Sequence, residues 1–309
     1  MRLGLPYRGS KNGIAKWIID NLPPSETFVD LFCGGCAVTH AAMIDGKYKN
    51  IIINDVDSRI PQFFIDCING KYTVENHKEW VSREDFHRSK DADAYIALIW
   101  SFGNNGVDYI YGKDIEPYKK ALHYACFFND LSLFGKLGIE VHVFTEKDIY
   151  KRYLLYKNYF IKMGNRNDLD VLQRLQNLER LQNLERLQSL QTYGLDYQDV
   201  NIPSGSVIYC DVPYKNTNCG KYDGFDSERF YDWARKQDNI YISEYCMPSD
   251  FIVVAEREKV VLSAANNNSI KATERLYTNQ RTYEKMSNRR KEIIRLNQSK
   301  QISLFDMEV

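Results

Sequence analysis

The chain has 309 residues and carries 41 Lys+Arg against 41 Asp+Glu, a formal charge of zero. That balance excludes a protein that is basic all over, so any nucleic-acid contact must come from local charge. With 44% hydrophobic and 13% aromatic residues it can build a real core, which excludes global disorder, and its length suits one large domain or two modest ones.

Pro6-Tyr7-Arg8-Gly9-Ser10-Lys11 opens the chain, and an apolar run, Thr27–Phe32, follows. It leads into Cys33-Gly34-Gly35-Cys36 and a helix starting near Ala37. Asn50–Asp55 is a second run, Ser206–Asp211 a third and Tyr241–Ser243 a fourth. Short β-branched or aromatic runs ending in an acid read as buried parallel strands. Further runs at Phe251–Ala255 and Val260–Ser263 could continue the sheet, with a helix beginning near Ser227. Strands alternating with helices predict an open α/β sheet, whose ligands bind at the carboxyl ends of the strands.

Between Pro61 and Arg166 this alternation is absent, and the segment reads as an inserted, mostly helical subdomain. Within it, Ser101–Lys113 holds Asn-Gly and reads as a loop or short hairpin. Next, Arg174-Leu-Gln-Asn-Leu-Glu179 repeats at Arg180–Glu185 and loosely at Arg186–Gln191, with Leu at every third residue from 172 to 190. On an α-helix that stripe drifts by about 60° per step and circles the axis. It fits a helix buried on most sides or a small solenoid-like coil, and no chemistry is assigned to it.

Residues 271–300 hold nine Lys/Arg and three Glu, a local excess of six positive charges. Such a segment reads either as a basic helix lying along phosphate or as a solvated C-terminal helix.

The first residues lack the apolar stretch of a signal peptide, and no run of about 18 apolar residues offers a membrane span. Seven Cys, scattered from 33 to 246, make no disulfide framework. A reduced, cytoplasmic protein is expected. Cys33–Cys36 has thiol-redox spacing, but the glycines between them already suit a ligand loop. The five His form no ligand cluster, so no metal is expected, and no GxxxxGK offers an ATP phosphate loop.

Asp211-Val212-Pro213-Tyr214 on its own could be a plain strand-to-loop turn. In company with PYRGSK at 6–11, FVDLFCGG at 28–35 and INDVD at 53–57, in that order, it resembles the Dam-like DNA adenine-N6 methyltransferases (D12 class, alpha group). The resemblance covers most of residues 1–60 and 195–250. It implies a Rossmann-like methyltransferase sheet with helices on both faces. The split catalytic and cofactor-binding domain would be 1–60 and 171–270, including the Leu-rich segment 172–190. An inserted target-recognition domain would occupy 61–170, and a basic segment and tail 271–309.

It also implies S-adenosylmethionine as cofactor and double-stranded DNA as partner. Gly34 and Gly35 would hold the methionine end, where a turn lets backbone approach a ligand closely. Asp30 would pair with the ligand's amino group, Tyr7 and Lys11 would close over its carboxylate, and Phe32 would lie beside it. Asp55 would accept the ribose hydroxyls, and Asp196 with Tyr197 would hold the adenine, Asp199 being the alternative acid. In the transfer step, the Asp211 carboxylate and the Val212 carbonyl would accept the hydrogens of adenine N6 and make the amine more nucleophilic. Tyr214 would stack on the flipped base, worth roughly 1–3 kcal/mol. Val212 departs from the DPPY pattern; it keeps the carbonyl and loses the rigidity of a proline ring. Ser243-Glu244-Tyr245 resembles a less specific pocket motif, although Glu244 could equally be a surface carboxylate.

Asn104, Asn105, Tyr109, Tyr111 and Lys113 are candidate DNA readers, or Asn-Gly simply makes a turn. Gln301-Ile302-Ser303-Leu304-Phe305 resembles the bacterial sliding-clamp-binding pentapeptide, with Gln301, Leu304 and Phe305 as its anchors; alternatively Leu304 and Phe305 pack back on the domain. Rival readings are a cytosine-N4 or RNA amino-methyltransferase of the same catalytic logic, and a catalytically weak DNA-binding relative.

Overall fold

A computed structural model describes residues 2–163, 168–183, 189–213, 224–262 and 269–305. The chain divides into two compact units, Met1–Ser10 with Gln62–Glu185, and Lys11–Pro61 with Arg186–Val309.

The second unit contains a seven-stranded sheet in the order β3-β2-β1-β4-β5-β7-β6. Its strands are β1 (Thr27–Asp30), β2 (Asn50–Asn54), β3 (Ser189–Tyr193), β4 (Val207–Cys210), β5 (Ile240–Glu244), β6 (Ile252–Leu262) and β7 (Ser269–Thr278). The first five are parallel, and β7 and β6 are antiparallel. The central strands are buried from end to end, which is why they read as continuous apolar runs. β1 lies between β2 and β4, so the chain order reverses there, the point at which open α/β sheets bind ligands at their carboxyl edge.

Three strands differ from the sequence expectation. β3 emerges from the end of the Leu repeat as a polar edge strand, partly exposed along its length. The two late apolar runs form one long strand, β6. The start of the basic 271–300 segment is β7, a strand and not a helix.

Two helices, α1 (Ala15–Asn21) and α2 (Ala37–Asp45), flank β1 in sequence. The chain continues with α3 (Arg59–Ile68), α4 (Arg83–Ser89), α5 (Ala94–Ile99), α6 (Glu116–Phe128), α7 (Ser132–Lys136), α8 (Ile149–Lys162) and α9 (Asp170–Glu179). Most of these build the first unit, which is helical as the sequence suggests. After β4 come α10 (Ser227–Ala234), α11 (Gln280–Lys285) and α12 (Asn288–Phe305).

The leucine repeat begins as an α-helix and runs into a short 3₁₀ turn. In α9, Val171, Leu172, Leu175 and Leu178 are buried. The chain then tightens into a 3₁₀ turn, Arg180–Asn183, with Leu181 also buried. Among the described residues three of these leucines lie in the α-helix and only Leu181 in the 3₁₀ turn, so over this short stretch the drifting stripe stays within the buried side. Arg174 Nη1 donates to the carbonyls of Ile99 at 2.6 Å and Ser101 at 2.8 Å, capping the end of α5. The repeat beyond Asn183 to 188 lies outside the described residues.

Candidate active site

Four carboxylates stand at the carboxyl edge because four of the five parallel strands end in an acid or are followed directly by one. Asp30 closes β1, Asp55 follows β2, Asp211 follows β4, and Glu244 closes β5. Asn54, just before Asp55, ties the loops together. Its side-chain amide donates to the carbonyls of Leu31 and Leu195, each at 3.0 Å, and its oxygen accepts from Leu195 N at 2.9 Å. The sequence reading missed Asn54; a polar residue ending an apolar strand was the available signal.

The loop after β1 turns sharply. Gly34 and Cys36 adopt left-handed conformations, with φ of 43° and 56°. Gly34 N donates to Asp55 Oδ2 and Asp57 N to Asp55 Oδ1, both at 3.0 Å. Asp55 thereby fixes the glycine loop and its own turn. Burial pushes the Cys33 and Cys36 thiols up, so neither is the thiolate that redox chemistry requires. Among the described residues, no three His, Cys, Asp or Glu form a group that could hold a metal ion.

Asp30 is 1% exposed. Thr39 Oγ1 donates to its Oδ2 at 2.7 Å, while Oδ1 is buried with no hydrogen-bond partner. Burial pushes its pKa up to about 7; the Thr39 hydrogen bond works against this, and the Asp211 and Asp55 charges add to it. A buried carboxylate with an oxygen to spare fits a cationic amine.

Lys11 is buried, and its Nζ donates to Asp211 Oδ1 at 2.7 Å. The same ammonium lies 3.6 Å from Glu274 Oε1 on β7. Resemblance implied the cofactor's carboxylate as the partner of Lys11; in the structure its ammonium bonds Asp211 and lies near Glu274. Glu274 was read only as one of the few acids in a basic segment. Its placement between Ala272 and Leu276 at alternate strand positions was the only hint that it faces inward.

Val212 is 4% exposed and packs in the core cluster with Cys210, Tyr231 and Met247. The position where the DPPY pattern has a ring thus carries a side chain buried in the core. Pro213 is partly exposed; Tyr214, and the loop through residue 223, lie outside the described residues. Glu244 is buried and accepts from Tyr245 N at 2.7 Å, so it is no surface carboxylate.

Past β3, Tyr197 is buried in an aromatic cluster with Phe32, Phe225, Phe230 and Trp233, at centroid distances of 5.0 to 6.3 Å. Asp196 is partly exposed and takes Arg229 Nη1 at 3.1 Å, and Asp199 is exposed. Gly194 sets this turn: a Cβ there would sit 2.2 Å from Ser58 Cβ and 2.9 Å from its Cα. Overpacking of this kind costs roughly 1–3 kcal/mol. Gly194→Ala is therefore expected to lower the urea midpoint clearly, and an unchanged midpoint would show that the turn relaxes freely.

In the first unit, Tyr7 is half-buried, and its carbonyl accepts from Ser10 N at 3.3 Å. Ser101 and Tyr109 pair in an antiparallel bridge, so 101–109 is a short hairpin. Asn104 donates to the Leu98 carbonyl, and Asn105 binds the backbone of Val107 and Asp108. Tyr109 and Tyr111 are buried, Tyr109 bonded to the Val81 carbonyl and Tyr111 stacked on Trp80. Lys113 is exposed, and Phe102 (66% exposed) and Val107 form an apolar tip that sequence reading passed over.

The basic segment is partly neutralised within the fold. Arg275 pairs with Glu256, and Arg281 and Lys285 both pair with Asp238. Gln301–Phe305 forms the last turn of α12 in backbone terms, and its side chains lie outside the described residues. Among the described residues, no helix is long and apolar enough to cross a membrane.

A family model described as D12 class N6 adenine-specific DNA methyltransferase matches residues 7–291. No curated relative matches the chain. The family match spans both the acid-lined sheet edge and the helical segment between its halves, and the chain belongs to the D12 class N6 adenine-specific DNA methyltransferases.

Proposed function

We propose that the chain uses S-adenosylmethionine to methylate adenine N6 in a specific duplex sequence, with the base flipped out of the stack. The observation that carries this reading is the buried Asp30 oxygen without a partner, set among Asp55, Asp211 and the glycine loop. When bound, the cofactor supplies an electrophilic methyl on a sulfonium.

Asp30 pairs with its amine, the backbone at Gly34–Gly35 lies along its methionine end, and Asp55 takes the ribose hydroxyls. Phe32 and Tyr197 flank the adenine, with Asp196 on its amino group. Asp211 and the Val212 carbonyl accept the two hydrogens of the target amine, drawing its lone pair out of the ring. Catalysis is then placement and electrostatics. Tyr214 stacks on the flipped base, and extruding that base costs a few kcal/mol. The 101–109 hairpin, with Lys113 beside it, faces the duplex; Asn104 and Asn105 shape the hairpin, and Tyr109 and Tyr111 support it from beneath.

The protein works in the cytoplasm of a bacterial or phage-infected cell. Gln301, Leu304 and Phe305 dock on the sliding clamp, which requires the last turn of α12 to open into an extended peptide. Equal retention of wild type and Leu304→Ala/Phe305→Ala on immobilised clamp would remove that partner. For the cofactor, saturable binding of S-adenosylmethionine to the wild-type chain is expected, and no binding at millimolar concentration would overturn the reading.

A further inference from the structure

Two carboxylates share one buried ammonium in this site, and only one of them belongs to the transfer chemistry. Lys11 Nζ lies 2.7 Å from Asp211 Oδ1 and 3.6 Å from Glu274 Oε1. The Lys11 side chain is 7% exposed, Asp211 21% and Glu274 0%. Glu274 comes from the antiparallel strand β7, beyond β5, and its inward neighbours Leu276 and Thr278 are equally buried. A carboxylate so deeply buried is costly unless paired.

The geometry points to Glu274 as a positioning residue that provides a second seat for Lys11, an inference resting on the proposed role of Asp211. In the structure Lys11 holds Oδ1 of Asp211, the carboxylate that the proposed function assigns to the target amine. The amine also gains positive charge as it takes the methyl, so an ammonium held against the same carboxylate opposes the reaction. Glu274 offers Lys11 an alternative partner only 0.9 Å farther away than Asp211. The lysine can lean across without being left buried and unpaired, and Asp211 turns to the amine. Asp211 alone touches substrate; Glu274 acts through Lys11.

The test combines steady-state kinetics with a denaturation cycle. Glu274→Gln is expected to lower kcat by roughly 10- to 100-fold, with KM for DNA and for S-adenosylmethionine within about twofold of wild type. Glu274→Asp, which keeps the charge, recovers a substantial part of the loss. In urea unfolding, Lys11→Met and Glu274→Gln are non-additive, as residues in one ionic network are. A Glu274→Gln kcat within twofold of wild type overturns the inference, and so does strict additivity in urea. A wild type inactive on every duplex overturns the proposed function instead, and the urea cycle, which needs no turnover, still decides the Lys11–Glu274 pairing.

Discussion

Asp211→Ala is expected to abolish methyl transfer, a fall beyond about 10³-fold in single-turnover rate, while S-adenosylmethionine binding persists. Asp211 stands just past β4, and its carboxylate is the proposed acceptor for the target amine, whose nitrogen is otherwise a poor nucleophile. Removing it leaves Lys11 with Glu274 at 3.6 Å, so the buried ammonium keeps a partner and the fold is expected to survive. Asp30, at the end of β1, and Asp55, just past β2, are the residues proposed to hold the cofactor, and they lie away from β4 in the chain. Near-wild-type turnover in this variant would refute the assigned mechanism. Weak cofactor binding together with a lowered melting temperature would point to structural damage.

Cofactor affinity is expected to rise steeply with pH up to about 7 and then flatten. Asp30 has a folded-state pKa of about 7 against an ordinary value of 3.8, chiefly because it is buried. Below that pKa the free protein holds Asp30 protonated, yet a cationic amine requires the carboxylate. Binding therefore releases a proton, and affinity gains up to about tenfold per pH unit until the group is already ionised. The sign for folding is the reverse. Between pH 4 and 7 the folded state binds more protons at Asp30 than the unfolded state, so this group makes the cofactor-free protein less stable as pH rises. Asp30→Asn should weaken binding, flatten its pH profile and remove that decline in stability. Calorimetric titrations across the range would show both effects; a flat wild-type profile would contradict them.

The sheet was legible because buried parallel strands announce themselves. β1, β2, β4 and β5 have buried, mostly apolar centres, and the acids at or just past their ends mark the edge where ligands bind in such sheets. β3 escaped notice because an edge strand with Ser189 and Gln191 has no apolar signature and follows directly on a leucine repeat. β7 was hidden by charge counting: Lys271, Glu274 and Arg275 lie within a basic segment, yet Glu274 points inward and Arg275 pairs with Glu256. A sum over residues 271–300 cannot show which charges are spent inside the fold.

Within the site, single residues were legible where strand ends fix them. Partnerships across strands were not, because Lys11 meets Asp211 and Glu274 from positions 200 and more residues away. Tyr109 and Tyr111 show the same limit. Their place in a polar, aromatic turn suggested exposed readers, but packing against Val81 and Trp80 takes both rings out of solvent and leaves Phe102 and Val107 at the tip. The substitution at Val212 became intelligible only when its side chain was seen in the core.

The most direct measurement is nucleoside analysis of duplex DNA after incubation with the purified chain and methyl-labelled S-adenosylmethionine, with RNA and the Asp211→Ala variant in parallel. The predicted result is label in N6-methyladenine from DNA alone, and none with Asp211→Ala. Label in N4-methylcytosine, label confined to RNA, or equal N6-methyladenine from the variant would contradict the account.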